Sequence, residues 1–121
     1  MMIAYWVIAA LLAVVYLYSG GMKLLRSKEQ LRPAMTWVEH TPLFLVRVIG
    51  FFEVLGALGL LLPPLTGIAP WLVMAAAIGL VAVQLGAIPL HLRRHEVNVI
   101  ALNLVLLVLA SVEIWLGTIW L

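Results

Sequence analysis

An all-α fold of four membrane-crossing helices in an up-down bundle is what this sequence predicts, on three observations. Of the 121 residues, 66% are hydrophobic and 10% charged, whereas a soluble domain carries roughly a half and a quarter. Four apolar stretches, about residues 3–22, 43–62, 70–90 and 97–120, each supply the roughly 20 helical residues that a hydrocarbon core demands. All seven basic residues lie around two of the three connections: Lys23, Arg26, Lys28, Arg32 and Arg47 flank the first, and Arg93 and Arg94 sit in the last. The middle connection, "PPLTGIAP", has no charge.

Each crossing is a helix because backbone amides in lipid have no water to bond and a helix satisfies them internally. A β-barrel would need short alternating strands, which the pattern lacks. Almost nothing remains for a soluble domain, so residues 1–121 are expected to form one integral membrane unit. By the positive-inside rule the basic connections are cytoplasmic, with both termini and the Pro/Gly-rich loop outside. Tyr5, Trp6, Trp71, Trp115 and Trp120 then gather near the outer interface, where amphipathic rings are favoured. The absence of cysteine excludes disulfide and CxxC chemistry from the chain's own residues.

The first span opens Met-Met-Ile-Ala-Tyr, without the cationic start of a secretion signal, and reads as a retained helix. Tyr5, Ala9, Leu12, Tyr16, Ser19, Lys23 and Arg26 alternate in steps of four and three, which makes one stripe. Lys23, close to the cytoplasmic end, is expected to snorkel to that interface. Ser19-Gly20-Gly21 implies close packing or a cavity, since two adjacent glycines otherwise weaken a helix. The long cytoplasmic connection, residues 24–41, fits either an interfacial helix dipping Met35, Trp37 and Val38 into the lipid boundary or a short ordered loop.

The second span carries Glu53 about ten residues from either end, near mid-depth. An ionised group there costs about 2.5 to 3.5 kcal/mol on insertion scales, so Glu53 is expected to face the bundle interior. Gly50, Gly56, Ala57 and Gly59 share or flank its face and allow a neighbouring helix to come close. The bland alternative is a packing role, with Glu53 bonded to the next helix.

In the third span Gln84, Ile88, His91 and His95 follow at steps of four, three and four, with Gln84 deepest and Pro89 placed to kink the helix beside His91. His91, His95 and Glu96 do not make a recognised metal-ligand spacing, so no metal is expected. The fourth span offers Asn103, Leu106, Ala110, Glu113 and Gly117 as one face. Asn103 is expected to hydrogen-bond within the bundle. Glu113, about two turns from the C-terminus, is expected to reach the outer headgroups.

Tyr16, Ser19, Lys23, Glu53, Gln84, His91 and Asn103 thus come from all four helices, and their convergence on one ligand-binding pocket is the cheapest arrangement for such groups in lipid. "SGGMKLLRSKE" and "LGAIPLHLRRHE" hold matching places in the two hairpins, a hint of parallel repeats.

Three segments in this order and at these distances, "YLYSGGMKLLRS", "RVIGFFEVLGALGLLLPPLTGIAPWL" and "AAAIGLVAVQLGAIPLHLRRHE", resemble the DoxX-like family of small four-helix membrane proteins. The likeness runs from about residue 15 to 103. It rests on the small-residue-Gly-x-x-Lys end of the first helix, Glu53 in "E-x-x-G-x-x-G-L-x-x-P", and residues 87 to 93 in "A-x-x-x-H-x-R".

The resemblance implies a multi-pass protein of the prokaryotic cytoplasmic membrane. The family's founding relatives are subunits associated with thiosulfate:quinone oxidoreduction. Mycobacterial relatives are linked to membrane oxidoreductase complexes, and distant animal relatives act as assembly chaperones for membrane receptors. Lys23, Glu53, Gly56, His91 and Arg93 fall on motif positions, without catalytic roles attached.

The leading expectation is a subunit that binds a quinone or small lipophilic ligand and works with an oxidoreductase partner. A carboxyl and an imidazole can hydrogen-bond a quinone's carbonyls and exchange protons. No flavin, haem or iron-sulfur motif is visible in the sequence. A proton-coupled small-molecule exporter ranks second: small multidrug-resistance proteins also have four helices, but carry their essential glutamate in the first. A non-catalytic assembly factor is third. The lipid bilayer is the expected partner, nucleic acid is not, and homo-oligomers through Gly- and Ala-rich faces are compatible with the pattern.

Overall fold

The computed structural model describes residues 1–33, 35, 37–38, 41–94 and 97–121. Its described elements are helical, with α1 at Met2–Leu25, α2 at Lys28–Leu31, α3 at Leu43–Thr66, α4 at Leu72–Arg93 and α5 at Val97–Leu116. A 3-10 turn, Gly117–Trp120, closes the chain. His95 and Glu96 lie outside the described residues.

Four of these helices are long and apolar enough to cross a membrane. α1 and α3 have 24 residues each and α4 has 22, which at 1.5 Å rise is about 33 to 36 Å, a little more than the ~30 Å hydrocarbon core. Each helix packs on its neighbour in the ring α1–α3–α4–α5, and α5 returns to α1. Neighbours run antiparallel: Lys23 near the end of α1 meets Glu53, while Tyr5 near its start meets Leu60. Large apolar side chains such as Val14, Phe44, Phe51, Leu85, Val108 and Trp115 stay on the outside. That surface is matched to lipid, where apolar groups incur no penalty.

The interior divides into two clusters. One, toward the end that carries the termini, packs Tyr5, Leu12, Leu60, Leu80 and Leu106 around small residues such as Ala9 and Ala110. The other closes the basic end with Met22, Leu31, Trp37, Val38 and Val46. Trp37 and Val38 therefore pack inward over the bundle instead of dipping into the lipid boundary. Among the described residues of this connection, regular structure is α2 and a single turn at Trp37–Val38. α2 begins at a capping box, in which Ser27 Oγ accepts from the Gln30 amide and Gln30 Oε1 accepts from the Ser27 amide.

Two prolines explain one tertiary bond. Pro63 and Pro64 lie inside α3, which runs on to Thr66 and ends at Gly67 with φ of 73°, a left-handed conformation that suits glycine. Pro64 has no N–H to give the carbonyl four residues earlier, which is Leu60. The Tyr5 hydroxyl donates to that Leu60 oxygen at 2.6 Å and so replaces the missing partner. Tyr5 is consequently fully buried, in edge contact with Trp6 and Trp120, and is not part of an interfacial belt. Trp71 and Trp115 remain exposed. α4 continues through Pro89 to Arg93 as one helix.

Candidate functional site

The polar side chains of the basic half are organised by a close crossing of α1 and α3. A methyl added at Gly20 would lie 2.7 Å from the Gly50 carbonyl oxygen, and one at Gly50 would lie 2.8 Å from the Gly20 oxygen and 2.7 Å from Lys23 Cβ. Only glycine at both positions lets the backbones approach this closely. Gly21 faces open space and plays no part in the crossing.

That approach lays the Lys23 stem along α3, and the amine reaches Glu53 one turn deeper. Lys23 Nζ donates to Glu53 Oε1 at 2.5 Å and to Ser19 Oγ at 2.7 Å. The Trp37 ring stands 5.8 Å from the same amine, within cation–π range. Lys23 thus turns inward and does not snorkel, because a carboxylate within reach compensates its charge where headgroups otherwise would. Lys23 is 7% exposed and Glu53 3%, so the pair is dry. Arg47 completes the corner: its Nη1 donates to the Lys23 and Arg26 carbonyls at 2.5 and 2.7 Å. These belong to the carbonyls that a helix C-terminus leaves without intrahelical donors.

A second couple links α1 to α4 across the bundle. Gln84 Nε2 donates to the Tyr16 hydroxyl at 2.6 Å, and both side chains are buried. The Glu53 carboxylate lies within electrostatic reach of this hydroxyl, so the two couples adjoin. Gln84 Oε1 and Asn103 Nδ2 are buried and have no hydrogen-bond partner among the described residues. Turning the Gln84 amide over would leave its NH₂ unpaired instead, so one unmet hydrogen bond persists in either orientation.

Of the seven residues singled out from sequence, the structure joins Ser19, Lys23 and Glu53 in one bonded group and Tyr16 with Gln84 in another. His91 and Asn103 are buried in the same half, on α4 and α5. Arg47 and Trp37 were not anticipated in this cluster. The only sequence signal for Arg47 was its place four residues inside an otherwise apolar helix start.

Glu113 departs furthest from expectation. It is 0% exposed and faces the bundle interior, not the headgroups, because the face Asn103, Leu106, Ala110, Glu113 and Gly117 stays buried along its whole length. Both of its carboxyl oxygens lack a hydrogen-bond partner among the described residues, as does the Trp120 indole nitrogen.

An apolar hollow lies elsewhere. A furrow of about 710 Å³ runs between α3 and α4, lined by Phe52, Leu55, Gly56, Gly59, Ala76 and Gly79 among others, and its lining is apolar. None of the seven residues lines it. Its floor forms where Gly56 packs on the Leu80 side chain and Gly59 on Ala76. Leu80 is fully buried and stands one helical turn from Gln84.

With four apolar helices and this polar core in view, the comparison with known families is decisive: the pattern of the DoxX-like family matches residues 7–112. The chain belongs to the DoxX-like family. No curated protein and no solved structure matches it. The DoxX-like span encloses both bonded couples, His91, Asn103 and the furrow, and stops one residue short of Glu113.

Proposed function

We propose that this DoxX-like protein is a membrane subunit that binds a quinone, or a similar lipophilic carbonyl compound, and serves a partner oxidoreductase. The observation that carries the reading is the unmet hydrogen bonding of Gln84 Oε1 and Asn103 Nδ2, in the half of the bundle that also holds the Lys23–Glu53 pair. Buried polar atoms without partners cost about 1 to 3 kcal/mol each, which a ligand with matching atoms would recover. A quinone offers carbonyl oxygens to Asn103 Nδ2 and to the Lys23 ammonium. Its reduced form offers hydroxyls to Gln84 Oε1 and the Glu53 carboxylate.

A bound quinone supplies a two-electron, two-proton redox change, with electrons from the partner. The chain's own groups would hold the head and relay protons: Glu53, kept charged at rest by Lys23, would take up each proton from water at the basic end and pass it to the reduced head, and Tyr16 and Gln84 would fix the ring's orientation. The furrow between α3 and α4 falls within the ~300 to 1,000 Å³ of small-molecule sites and opens an apolar bed for the tail. Rotation of Leu80 off Gly56 connects that bed to the polar couples. In the same reading the basic end faces the cytoplasm of a prokaryotic cell, by the positive-inside rule.

The test is binding of decylubiquinone to purified protein in lipid nanodiscs, together with chromatographic analysis of quinones extracted from it. Saturable binding is expected, weakened about tenfold in Q84L and N103L, the equivalent of one hydrogen bond at about 1.4 kcal/mol. Absence of both co-purified quinone and saturable binding overturns the proposal. The cysteine-free chain also permits a direct topology test. Arg26→Cys should be labelled by an impermeant maleimide only after the cells are opened, and Ile68→Cys in intact cells.

A further inference from the structure

The end of the bundle that carries the termini holds an acid for which the quinone reading has no use. Glu113 is completely enclosed, and neither carboxyl oxygen accepts a hydrogen bond among the described residues. The groups that meet it can be named from every neighbouring element. α1 contributes Tyr5, whose hydroxyl lies within electrostatic reach but donates to the Leu60 oxygen of α3. α4 contributes the apolar Val73 and Ala77 at this level, and the 3-10 turn contributes Trp120.

No cation of these elements is near. Lys23 on α1, Arg26 just past its end, Arg47 on α3 and Arg93 on α4 all sit at the basic end, and Tyr5 to Lys23 alone spans about 27 Å of helix. Of the other titratable groups of the packed helices, Tyr16, Glu53 and His91 belong to the basic half and Tyr18 faces outward, and the Met1 residue at this end is exposed. An isolated carboxylate in such surroundings is far costlier than the neutral acid.

We propose that Glu113 is a second proton-binding site of the bundle, carried as a neutral carboxylic acid and exchanging with water at the terminus-bearing end past Trp120. The indole of Trp120 is half-buried, its nitrogen has no acceptor among the described residues, and its ring meets Tyr5 at 5.6 Å. Its N–H, a donor only, can bond a carboxyl oxygen at this end but does not itself relay a proton. The core then holds two acids in opposite states: Glu53 ionised against Lys23, and Glu113 protonated. Between them lies an apolar plug that includes Ala9, Leu12, Leu106 and Ala110.

The test is infrared spectroscopy of the whole protein in lipid nanodiscs at neutral pH, in H₂O and after transfer to D₂O. A protonated carboxyl C=O band is expected in the wild type and in E53Q, lost in E113Q, and shifted down in D₂O. A band unaffected by E113Q, or none at all, overturns the proposal, and a band that never shifts in D₂O overturns the exchange route. Should E113Q fail to fold, the wild type suffices. All five acidic residues are glutamates, and carbon-13 carboxyl labelling with magic-angle-spinning NMR should show one protonated carboxyl close to tyrosine and tryptophan ring protons. Ionised resonances only would sink the idea.

Discussion

Removing one member of the Lys23–Glu53 pair should harm the fold unequally, and the inequality follows from geometry. Breaking a buried ion pair by deleting one partner costs about 3 to 5 kcal/mol, because the other charge is left without compensation. In K23M the stranded group is Glu53, eleven residues into a 24-residue helix and without a route to either interface. A charge at a helix centre costs about 2.5 to 3.5 kcal/mol on insertion scales, so K23M should lose about 3 kcal/mol. In E53Q the stranded group is Lys23, two residues from the end of α1. Its stem can swing back to the basic interface, as lysines near helix ends do, and the loss should be about 1 to 2 kcal/mol.

The double variant K23M/E53Q leaves no charge, only a neutral amide, and should be at least 1 kcal/mol more stable than K23M alone. Stability would be read by steric trapping or by reversible denaturation in mixed micelles, with the four proteins forming one cycle. Additive losses in the double variant would show that the two groups do not depend on each other. A larger loss in E53Q than in K23M would show that Lys23 has no exit, contrary to its place at the end of α1.

Three further outcomes follow from the same contacts. G20A must push the α1–α3 crossing apart, since the added methyl meets backbone at 2.7 Å, and should cost about 1 to 3 kcal/mol. G21A, which meets nothing, should be neutral or up to about 1 kcal/mol stabilising, and both are read by the same unfolding assay. Y5F should cost about 1 kcal/mol in wild type but clearly less in P64A, where a backbone N–H again serves the Leu60 oxygen. R47M removes two donors from the α1 terminus and should speed amide hydrogen exchange around residues 26–29 at least tenfold, while α4 stays protected.

Helices and faces were legible in the sequence because lipid leaves few choices. The four apolar stretches match the four long helices to within a few residues, since a backbone in hydrocarbon must be helical for its whole passage. The 3.6-residue period found the buried faces as well: every member of the Asn103-to-Gly117 face is enclosed. The α1 stripe is buried from Tyr5 to Lys23 apart from the half-buried Ser19, and fails at Arg26, which is exposed beyond the last turn. A period assigns a face and a depth, however, and never the neighbour. Sequence spacing points Lys23 to the interface because its nearest water is close in sequence, while the carboxylate that captures it is thirty residues away. Depth alone points Glu113 to the headgroups. For Trp37 and Val38 the sequence leaves the lipid boundary and an ordered loop equally open, because nothing local shows that the bundle's end needs a cover.

The glycine crossing and the ion pair are best understood as one device. A lysine stem can lie along a neighbouring helix only if that helix is close, and two helices come that close only where neither carries a Cβ at the contact. Gly20 and Gly50 supply the approach, and the added methyl at Gly50 that would block it would strike Lys23 Cβ itself. The approach also expels anything that could solvate the charges, so the short bond to Glu53 is what makes the tight crossing tolerable. Arg47 then holds the end of α1 against α3 through the Lys23 and Arg26 carbonyls, which keeps the amine aimed at mid-depth. Spacing in "SGGMK" and "GFFE" is thus constrained on both strands of the contact: moving either glycine by one residue would rotate the contact by about 100° and carry the charge out of reach.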